Sequence, residues 1–387
     1  MNTRNLICWA VVLVGYLGLL FWGTTRPIKM ERWQKTTWSR MWTRLDQARL
    51  PGQIPEETEE ENPPPPPIPA TMTREQAEEV IKVSALVNHA GAIIPRLRPA
   101  VRVSPWPVED LDDLEPGASR FTAPPDVPVD FDWPWFNGEP LTLVAQLNMA
   151  EVLEHDLTQR LPESGWLCFF YADNVKPPPL GMSPADRDAW RVVYFNGDPE
   201  SLKRMNPPQP ASDKYPPCFV RFWQEWTLPD LTEEPDLIWE KQLLYFYGDL
   251  CTALTGRPEE SGWHHLLGYA QNVGGPMPPV CELVSQGETV TYETDFDDPK
   301  IKARIKNADE WVLLFQVELD SLMTMGVKTE DTLDSLWGMY GATGRIYYWI
   351  RADDLKKRDF SKVWMLRQGY YKDEWEEEYE DDEDDGD

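Results

Sequence analysis

The sequence predicts an α+β fold that is rich in strands, with mainly antiparallel sheets, an internal duplication and one transmembrane helix before the folded body. Short runs of β-branched and aromatic residues, separated by prolines, dominate the chain after residue 91, which is typical of strands joined by turns. Helical periodicity is confined to two stretches, at 73–91 and 236–254, and TREQ at 73–76 is a capping-box pattern that predicts a helix start near Thr73. Few helices and many short strands favour antiparallel pairing over alternating βαβ units.

An N-terminal tail (residues 1–5) precedes a predicted transmembrane anchor at 6–25. Leu6–Trp22 is almost wholly apolar, and about 20 such residues, each adding about 1.5 Å, span a hydrocarbon core of about 30 Å. A cleaved signal peptide is the alternative, but the apolar run is long for one and no small-x-small cleavage site follows. Six basic residues between Arg26 and Arg44 predict a single-pass protein of the cell (inner) membrane with its C-terminal domain in the cytoplasm.

Two segments connect this anchor to the folded body. Residues 26–50 are basic and aromatic, which fits either an amphipathic helix resting on anionic headgroups or an ordinary flank of the membrane span. Residues 51–70 are acidic and contain Pro63–Pro67, which favours an extended polyproline II spacer. A proline ligand for a partner's aromatic groove is the less common use of such a segment.

Residues 71–371 form the predicted folded body, which contains two pseudo-repeats at about 119–195 and 264–370. LVAQLNMAEV at 143–152 aligns with LLFQVELDSL at 313–322, so that a glutamine occupies the same place in both. Downstream, SGWLCFFYA aligns with TGRIYYWIR, again with a glycine ahead of an aromatic strand. The repetition predicts two equivalent halves related by a pseudo-twofold.

The body also contains several longer motifs in a fixed order, which read SRFTAPPDVPVDFDWPWFNGEPLTLVAQLNMAEVLEHDLTQRLPESGWLCFFYA, HHLLGYAQNVGGPMPPVCEL, EWVLLFQVELDSL and GATGRIYYWIRADDLKKRDFSKVWMLRQGY. Together they resemble the bacterial YwqG-like family over residues of about 73–371. The resemblance implies a β-rich α+β single domain with an internal duplication and no assigned molecular function. One departure concerns the turn at 122–128, where members usually show GGxPxLP and this chain has TAPPDVP.

Catalytic and cofactor motifs are scarce. The chain lacks GxSxG, GxGxxG and GxxxxGK(S/T), and none of its four histidines has metal-ligand spacing. We therefore expect no cofactor, no metal, no catalytic residue and a function other than catalysis. A hydrolase that uses paired carboxylates stays open, because spacing alone selects nothing among 66 acidic residues. The adjacent His264 and His265 are expected to place one ring in the core and one in solvent.

Charge narrows the choice of partners. The net charge is −29, and the acidic body would repel phosphate backbones, which excludes sequence-independent binding of nucleic acid. In the tail at 372–387, Asp373–Asp387 carries twelve acidic side chains and no basic one. This composition predicts a disordered segment that either binds a basic protein partner or serves solubility alone.

Five dispersed cysteines predict free thiols, not a disulfide framework.

Four residues are candidates for ligand or interface contacts near the repeats. Gln146 and Gln316 lie in apolar strands, where an unpaired buried amide costs about 1–3 kcal/mol. We expect the two amides to satisfy backbone groups where the halves meet. In a functional alternative the two amides line a cleft between the halves, with Arg120 and His265 supplying charge.

Trp133 and Trp135, in DWPWFNGEP, offer an aromatic platform for a sugar or a peptide, although such residues also fill the cores of strand-rich domains. The principal hypothesis is a membrane-anchored, non-enzymatic protein-interaction module that faces the cytoplasm. One alternative is an exported module that binds carbohydrate or peptide, and another is the carboxylate-based hydrolase.

Overall fold

The computed structural model describes residues 71–208, 215–231, 234, 237, 243–255, 263–325 and 344–369. The predicted segments at 1–70, which include the transmembrane anchor, and the acidic tail at 372–387 lie outside these ranges. No helix within the described ranges is long and apolar enough to span a bilayer. The anchor therefore stays a prediction from sequence.

The described chain forms fourteen β-strands and eight α-helices, which we number in chain order. The strands are β1 (Arg98–Pro107), β2 (Arg120–Phe121), β3 (Asp126–Val127), β4 (Trp135–Phe136), β5 (Glu139–Pro140), β6 (Thr142–Asn148), β7 (Trp166–Tyr171), β8 (Trp190–Phe195), β9 (Lys203–Arg204), β10 (Cys218–Thr227), β11 (His265–Leu267), β12 (Trp311–Glu318), β13 (Arg345–Arg351) and β14 (Trp364–Gln368). The helices are α1 (Arg74–Val83), α2 (Ala90–Ile93), α3 (Met149–Leu153), α4 (Leu244–Thr255), α5 (Met277–Ser285), α6 (Pro299–Arg304), α7 (Leu319–Thr324) and α8 (Ala352–Lys356).

Ten of these strands form one sheet in the order β14-β13-β12-β11-β1-β10-β2-β6-β7-β8. Every neighbouring pair in it is antiparallel. Two small sheets, β3-β9 and β4-β5, are antiparallel as well. The prediction of a β-rich fold with mainly antiparallel sheets is therefore confirmed.

The large sheet has the same construction on both sides of its central pair. β1 and β10 pair along their full length, and β11-β12-β13-β14 extend on one side while β2-β6-β7-β8 extend on the other. The outer strands come from the two predicted repeats, 119–195 and 264–370. We call the sides the first-repeat half (β2, β6, β7, β8) and the second-repeat half (β11 to β14).

Local details of the two halves also correspond. A bulge interrupts β6 between Leu143 and Ala145, and another interrupts β12 between Leu313 and Phe315, at places that align in sequence. Each bulged strand runs directly into a short helix, α3 or α7. The first backbone amide of each helix donates to a glycine carbonyl at 2.9 Å.

The sheet curls until its two edge strands meet. Trp190 of β8 and Trp364 of β14 pack edge to face, with ring centres 5.0 Å apart. The indole N–H of Trp190 donates to the carbonyl of Val363 at 3.0 Å, and the backbone amide of Arg367 donates to the carbonyl of Leu180 at 3.0 Å. The sheet is therefore nearly closed, which covers edges that would otherwise be open to another chain.

The interior of this curled sheet is the main core, and the core spans both halves. Phe169 of β7 contacts Phe315 of β12 and Tyr348 of β13, with ring centres 4.7 Å and 5.0 Å away. Phe121 of β2 packs on Phe315 at 6.0 Å. Because burying one such side chain contributes about 1.5–3 kcal/mol, these rings fasten the two halves to each other.

A smaller core forms between α1, α4 and the end of β10. The predicted capping box is confirmed, because the Thr73 hydroxyl accepts from the amide of Gln76, whose side chain accepts from the amide of Thr73. The predicted continuation of this helix to Gly91 is wrong, since α1 ends at Val83. Ser84 ends it in an extended conformation, with its hydroxyl bonded back to the last turn.

The four cysteines in the described ranges, Cys168, Cys218, Cys251 and Cys281, are free thiols, as predicted. Cys251 is partly exposed and the other three are buried. Burial raises the pKa of Cys168 and Cys281 above that of an ordinary thiol, so that both stay protonated and pack as small apolar side chains.

Candidate functional site

The side-chain amide of Gln146 pairs with the backbone of another strand through two hydrogen bonds, as a neighbouring strand would. Its Oε1 accepts from the backbone N–H of Asp126 at 2.9 Å, and its Nε2 donates to the backbone carbonyl of the same residue at 2.6 Å. Gln146 is fully buried, so the two bonds satisfy backbone groups that water does not reach. The side chain thereby holds β3 beside β6.

A buried ion network lies next to this amide. Arg120, which pairs with Gln146 across β2 and β6, donates to the carboxylate of Asp126 and to three backbone carbonyls. Arg204 donates to the other carboxylate oxygen of Asp126 at 3.2 Å. Burial lowers the pKa of Arg120, and the charge of Asp126 opposes that shift. Because the network is buried and bonded within itself, it stabilises the first-repeat half.

Gln316 makes the equivalent clamp in the second-repeat half. Its Oε1 accepts from the amide of Gln271 at 2.8 Å, and its Nε2 donates to the carbonyl of Trp263 at 3.0 Å. Gln316 is also fully buried. It therefore fastens both ends of the segment 263–271, which contains β11.

Each glutamine bonds within its own half. We expected the two amides to satisfy backbone groups where the halves meet, but the partner of Gln146 lies on β3 and the partners of Gln316 flank β11. Successive residues of a strand point to opposite faces of the sheet, so Gln316 points away from Phe315 and the aromatic core. The halves meet through that core instead.

Both neighbouring histidines are fully buried, so the expectation of one packed and one solvated ring is wrong. The reason is that both faces of the sheet are covered at this segment, so neither side of the strand is open to solvent. His264 accepts from the amide of Glu318 through Nδ1 at 3.2 Å. His265 places Nε2 3.0 Å from the carbonyl of Tyr269 and Nδ1 3.6 Å from a carboxylate oxygen of Glu225.

Trp133 and Trp135 have different surroundings. Trp133 is buried, donates its indole N–H to the carbonyl of Leu141 at 2.9 Å and packs edge to face on Phe170. Trp135, in β4, is 48% exposed. The two rings therefore do not form one exposed platform.

A tight turn at the end of β11 determines where Tyr269 lies. Leu267 and Gly268 both have positive φ, 62° and 70°, and for a branched side chain this conformation costs about 1–2 kcal/mol. A Cβ on Gly268 would lie 2.7 Å from the Thr227 hydroxyl and 2.8 Å from the Ala100 methyl, so glycine is required. The Thr227 hydroxyl also accepts from the amide of Tyr269 at 3.1 Å, which fixes the residue after the turn.

A groove of about 660 Å³ opens beside this turn. The volume lies within the range of ligand sites, roughly 300–1,000 Å³. Four of its buried lining residues, Tyr269, Trp311, Leu313 and Trp349, form what we call the floor. Its charged lining, which we call the rim, consists of Arg98, Arg160, Glu234 and Asp309.

Two tryptophans of the floor differ in their polar contacts. The indole N–H of Trp311 donates to the carboxylate of Glu282 at 2.9 Å, and the guanidinium of Arg351 lies over its ring at 4.7 Å. The indole N–H of Trp349 is buried and has no hydrogen-bond partner in the part of the chain that the structure describes. An unsatisfied buried donor costs about 1–3 kcal/mol, which an acceptor on a ligand would recover.

Two guanidiniums of the rim have no ion-pair partner within the described ranges. Arg98 is exposed and lies over the ring of Tyr269, 4.0 Å from its centre. Burial lowers the pKa of Arg160, the charge of Asp156 opposes the shift, and the charge of Arg98 adds to it. The two arginines are thus close enough to repel each other, and an anion between them would relieve the repulsion.

A second cavity, of about 490 Å³, shares Pro276 with the groove. Its walls are mainly apolar and include Met182 and Phe296. Gln368, another clamping glutamine, lies at its edge, where Oε1 accepts from the amide of Gly274 at 3.0 Å and Nε2 donates to the following carbonyl at 3.1 Å. This cavity therefore offers apolar contact but few free polar groups.

Residues 119–368 match a family described as a domain of unknown function, DUF1963. The match covers more than half of the chain and includes all the strands of both halves. The chain belongs to the DUF1963 family. Comparison with curated proteins gave no match. The central strand β1 and helix α1 lie before the DUF1963 residues.

The groove of this DUF1963 protein contains none of the six residues that we predicted from sequence in its lining. His265 reaches it through one bond, to the carbonyl of Tyr269. The groove is not predictable from sequence because its walls come from segments that are far apart in the chain. One local signal was present, since a glycine followed by tyrosine directly after a strand predicts a turn that presents an aromatic ring.

Two carboxyl groups bear on the hydrolase alternative. Burial raises the pKa of Glu151 and of Asp186. Neither residue lines the groove or the second cavity. Among the described residues, no group of three or more His, Cys, Asp or Glu side chains is arranged to hold a metal ion. The two acids with a raised pKa therefore lie away from the groove and from the second cavity.

Proposed function

We propose that this DUF1963 protein is a non-enzymatic interaction module that binds an extended peptide in the groove. The observation that carries the proposal is the buried indole N–H of Trp349, a residue of the groove lining whose N–H has no acceptor among the described residues. Peptide carbonyls are acceptors of this kind, and an extended peptide presents them at regular intervals.

The rest of the groove fits the same ligand class. Tyr269 and Trp311 offer flat apolar surface at low cost in side-chain entropy, and the bond from Trp311 to Glu282 holds its ring in place. The rim carries both signs of charge, which suits a peptide with charged side chains beside apolar ones. A volume of about 660 Å³ accommodates several such residues.

We further propose that the module is tethered to the inner membrane by the predicted anchor at 6–25 and faces the cytoplasm. The apolar run and the basic segment at 26–50 support this orientation, and free thiols suit a reducing compartment. A fluorescent reporter that matures only in the cytoplasm, fused to the C-terminus, should be bright. A dark fusion of normal abundance would contradict the orientation.

The finer assignment to the YwqG-like group and the origin of the halves by internal duplication belong to the same proposal. The equivalent strand orders, the aligned bulges and the aligned glutamines support it. Superposition of 119–195 on 264–368 tests the duplication, since equivalent strands that fail to superpose would argue against it.

Peptide display tests the proposed function. Random dodecapeptides on phage are selected on the full-length protein in detergent, and the affinities of enriched peptides are measured by fluorescence anisotropy. Trp349→Phe keeps an aromatic ring and removes the N–H, so it should weaken binding roughly tenfold, as the loss of about one hydrogen bond implies. Trp135→Phe makes the same chemical change at an exposed position outside the groove and should leave the affinity unchanged.

Two results would contradict the peptide proposal. One is equal affinity in wild type, Trp349→Phe and Trp135→Phe, which would place the peptide elsewhere. The other is binding to a glycan array with no selectable peptide, which would favour the carbohydrate alternative.

A further inference from the structure

We propose that the acidic tail of this chain, Asp373–Asp387, folds back into the groove and places its carboxylates on Arg98 and Arg160. This inference rests on the proposed function, because it requires that the groove bind an extended peptide. It names the occupant and makes the tail a competitor, within the same chain, of any other peptide ligand.

The rim of the groove favours an anionic segment. Arg98 is exposed, Arg160 lies near it, and neither has an ion-pair partner in the described ranges. Of the two lining carboxylates, Glu234 is paired with Arg96, which leaves Asp309 as the one without an ion-pair partner among described residues. In a protein of net charge −29, two unpaired guanidiniums are a site for carboxylates, which bind a guanidinium through two parallel hydrogen bonds.

The tail has the chemistry that this lining requires. Asp373–Asp387 contains twelve acidic residues, and Trp375 and Tyr379 lie among them. An aromatic side chain of the tail can pack on the aromatic floor while the carboxylates beside it reach the rim. Its backbone carbonyls supply acceptors for the indole N–H of Trp349.

The tail leaves the fold close to the groove. β14 ends at Gln368, whose side chain donates to the carbonyl of Gly275 at 3.1 Å, and the next residue, Pro276, lines the groove. Residues 370–387 follow Gly369, and an extended chain of that length reaches roughly 60 Å. The tail is therefore long enough to return to Arg98 and Arg160.

Attachment to the same chain makes weak docking effective. A flexible connection raises the effective concentration of the tail at the groove to about the millimolar range. Millimolar affinity is then enough to fill the groove for much of the time. A basic partner that captures the tail would open the groove, and the two interactions are thereby coupled.

Zero-length crosslinking on the full-length protein tests the contact. Arg98→Lys and Arg160→Lys keep the positive charge and introduce amines, which a carbodiimide joins to carboxylates in direct contact. Arg191→Lys is the matched control, because Arg191 is a partly exposed arginine on β8 that lies 3.6 Å from a carboxylate oxygen of Asp188 and lines neither cavity. Mass spectrometry then quantifies the peptides that join each introduced amine to Asp373–Asp387.

We expect tail crosslinks at positions 98 and 160 to exceed those at 191 by about tenfold, since docking concentrates the tail at the groove. Their yield should not depend on protein concentration, and it should fall at about 1 M salt, where the Debye length is about 3 Å. Equal yields at the three positions would overturn the proposal. Crosslinks that form only between two chains would overturn it as well.

Failure of the tail to dock and failure of the groove to bind peptides give different results. If the tail does not dock, peptides selected on phage still bind and still lose affinity in Trp349→Phe. If those peptides are also insensitive to Trp349→Phe, the groove is not a peptide site and both proposals fall.

Discussion

The first-repeat and second-repeat halves place a glutamine at the same position of the sheet. Gln146 and Gln316 are both buried, both follow a bulge, and both hold a loop through two hydrogen bonds to backbone. At the end of the neighbouring strand, Thr122 in one half and Leu267 in the other have positive φ, 54° and 62°. Thr122 thus adopts a left-handed conformation although it is not a glycine.

The two halves differ in what the clamped loop covers. In the first-repeat half, Asp126 receives hydrogen bonds from Arg120 and Arg204, and the ion network is buried. In the second-repeat half, His265 holds the carbonyl of Tyr269 instead, and the groove opens beside that residue. The polar groups of one half satisfy each other, while the other half borders an indole N–H without an acceptor and two arginines without an ion-pair partner within the described ranges.

The same arrangement of strands therefore supports a stabilising network in one half and a ligand groove in the other. A buried and satisfied network stabilises a loop, but it leaves no group for a ligand. A tight turn with a strained residue and an unsatisfied donor reduces stability, and such features concentrate where ligands bind. We therefore assign stability mainly to the first-repeat half and recognition to the second.

Removal of the carboxylate at Asp126 should have the largest effect, a loss of stability in the first-repeat half. Asp126→Asn leaves Arg120 buried without a counter-ion, which costs about 3–5 kcal/mol when one partner of a buried pair is removed. Urea unfolding followed by tryptophan fluorescence measures the loss. Asp130→Asn, an exposed change in the same loop, is the control and should be neutral. Equal stability of the two variants would mean that the network does not stabilise this half.

Removal of either clamping glutamine should show that the two halves have different roles. Gln146→Ala leaves two buried backbone groups unsatisfied and Gln316→Ala leaves two partly buried ones, so each should reduce the free energy of unfolding by about 1–3 kcal/mol. Gln316→Ala frees the segment that carries Tyr269, so it should also weaken binding of the phage-selected peptides. Gln146→Ala should leave that affinity unchanged, and a comparable loss of affinity in both variants would refute the division of roles.

The smallest expected effect is a pH dependence of opposite sign at two glutamates. Burial by itself raises the pKa of Glu282, but hydrogen bonds from Trp311, Arg351 and Gln286 outweigh it and hold the pKa below its ordinary value of 4.5. A carboxyl group with a lowered folded-state pKa stabilises the fold above its unfolded pKa, and this contribution is lost as the pH falls through the folded value. Burial raises the pKa of Glu151, so its contribution is present at low pH and is lost as the pH rises.

Urea unfolding of Glu282→Gln and Glu151→Gln between pH 3 and pH 7 checks these signs. Glu282→Gln should be less stable than wild type at neutral pH, and the difference should shrink below pH 4.5. Glu151→Gln should be neutral or stabilising at pH 7 and should lose any advantage in acid. Parallel pH profiles for the two variants would contradict the assigned shifts.

Much of the architecture follows from local patterns. The aligned glutamines, the glycines before the aromatic strands and the short β-branched runs predicted repeated antiparallel strands, and TREQ predicted the start of α1. The end of α1 at Val83 was not predictable from periodicity, because Ser84 ends the helix by competing for a backbone carbonyl. Adjacent histidines on a strand predict one packed and one solvated ring, but both rings are buried because both faces of the sheet are covered there.

The groove could not be predicted in the same way. Arg98, Arg160, Tyr269, Trp311 and Trp349 lie in separate parts of the sequence and become neighbours through the pairing order of the sheet. No local pattern marks Trp349 as a tryptophan whose N–H lacks a partner among the described residues, since Trp311 is equally aromatic and similarly buried. Whether a buried N–H finds a hydrogen-bond acceptor depends on how distant segments pack together.

The sequence by itself determined the class of the fold, the two equivalent halves of its strands and the buried amides, because periodicity and burial act over a few residues. It also determined the charge of the tail that we propose as a ligand. The tertiary structure alone decided that Gln146 closes a loop over an ion network and that the loop held by Gln316 borders a groove. Those outcomes depend on which distant residues meet, Asp126 with Arg204 in one half and Arg98 with Tyr269 in the other.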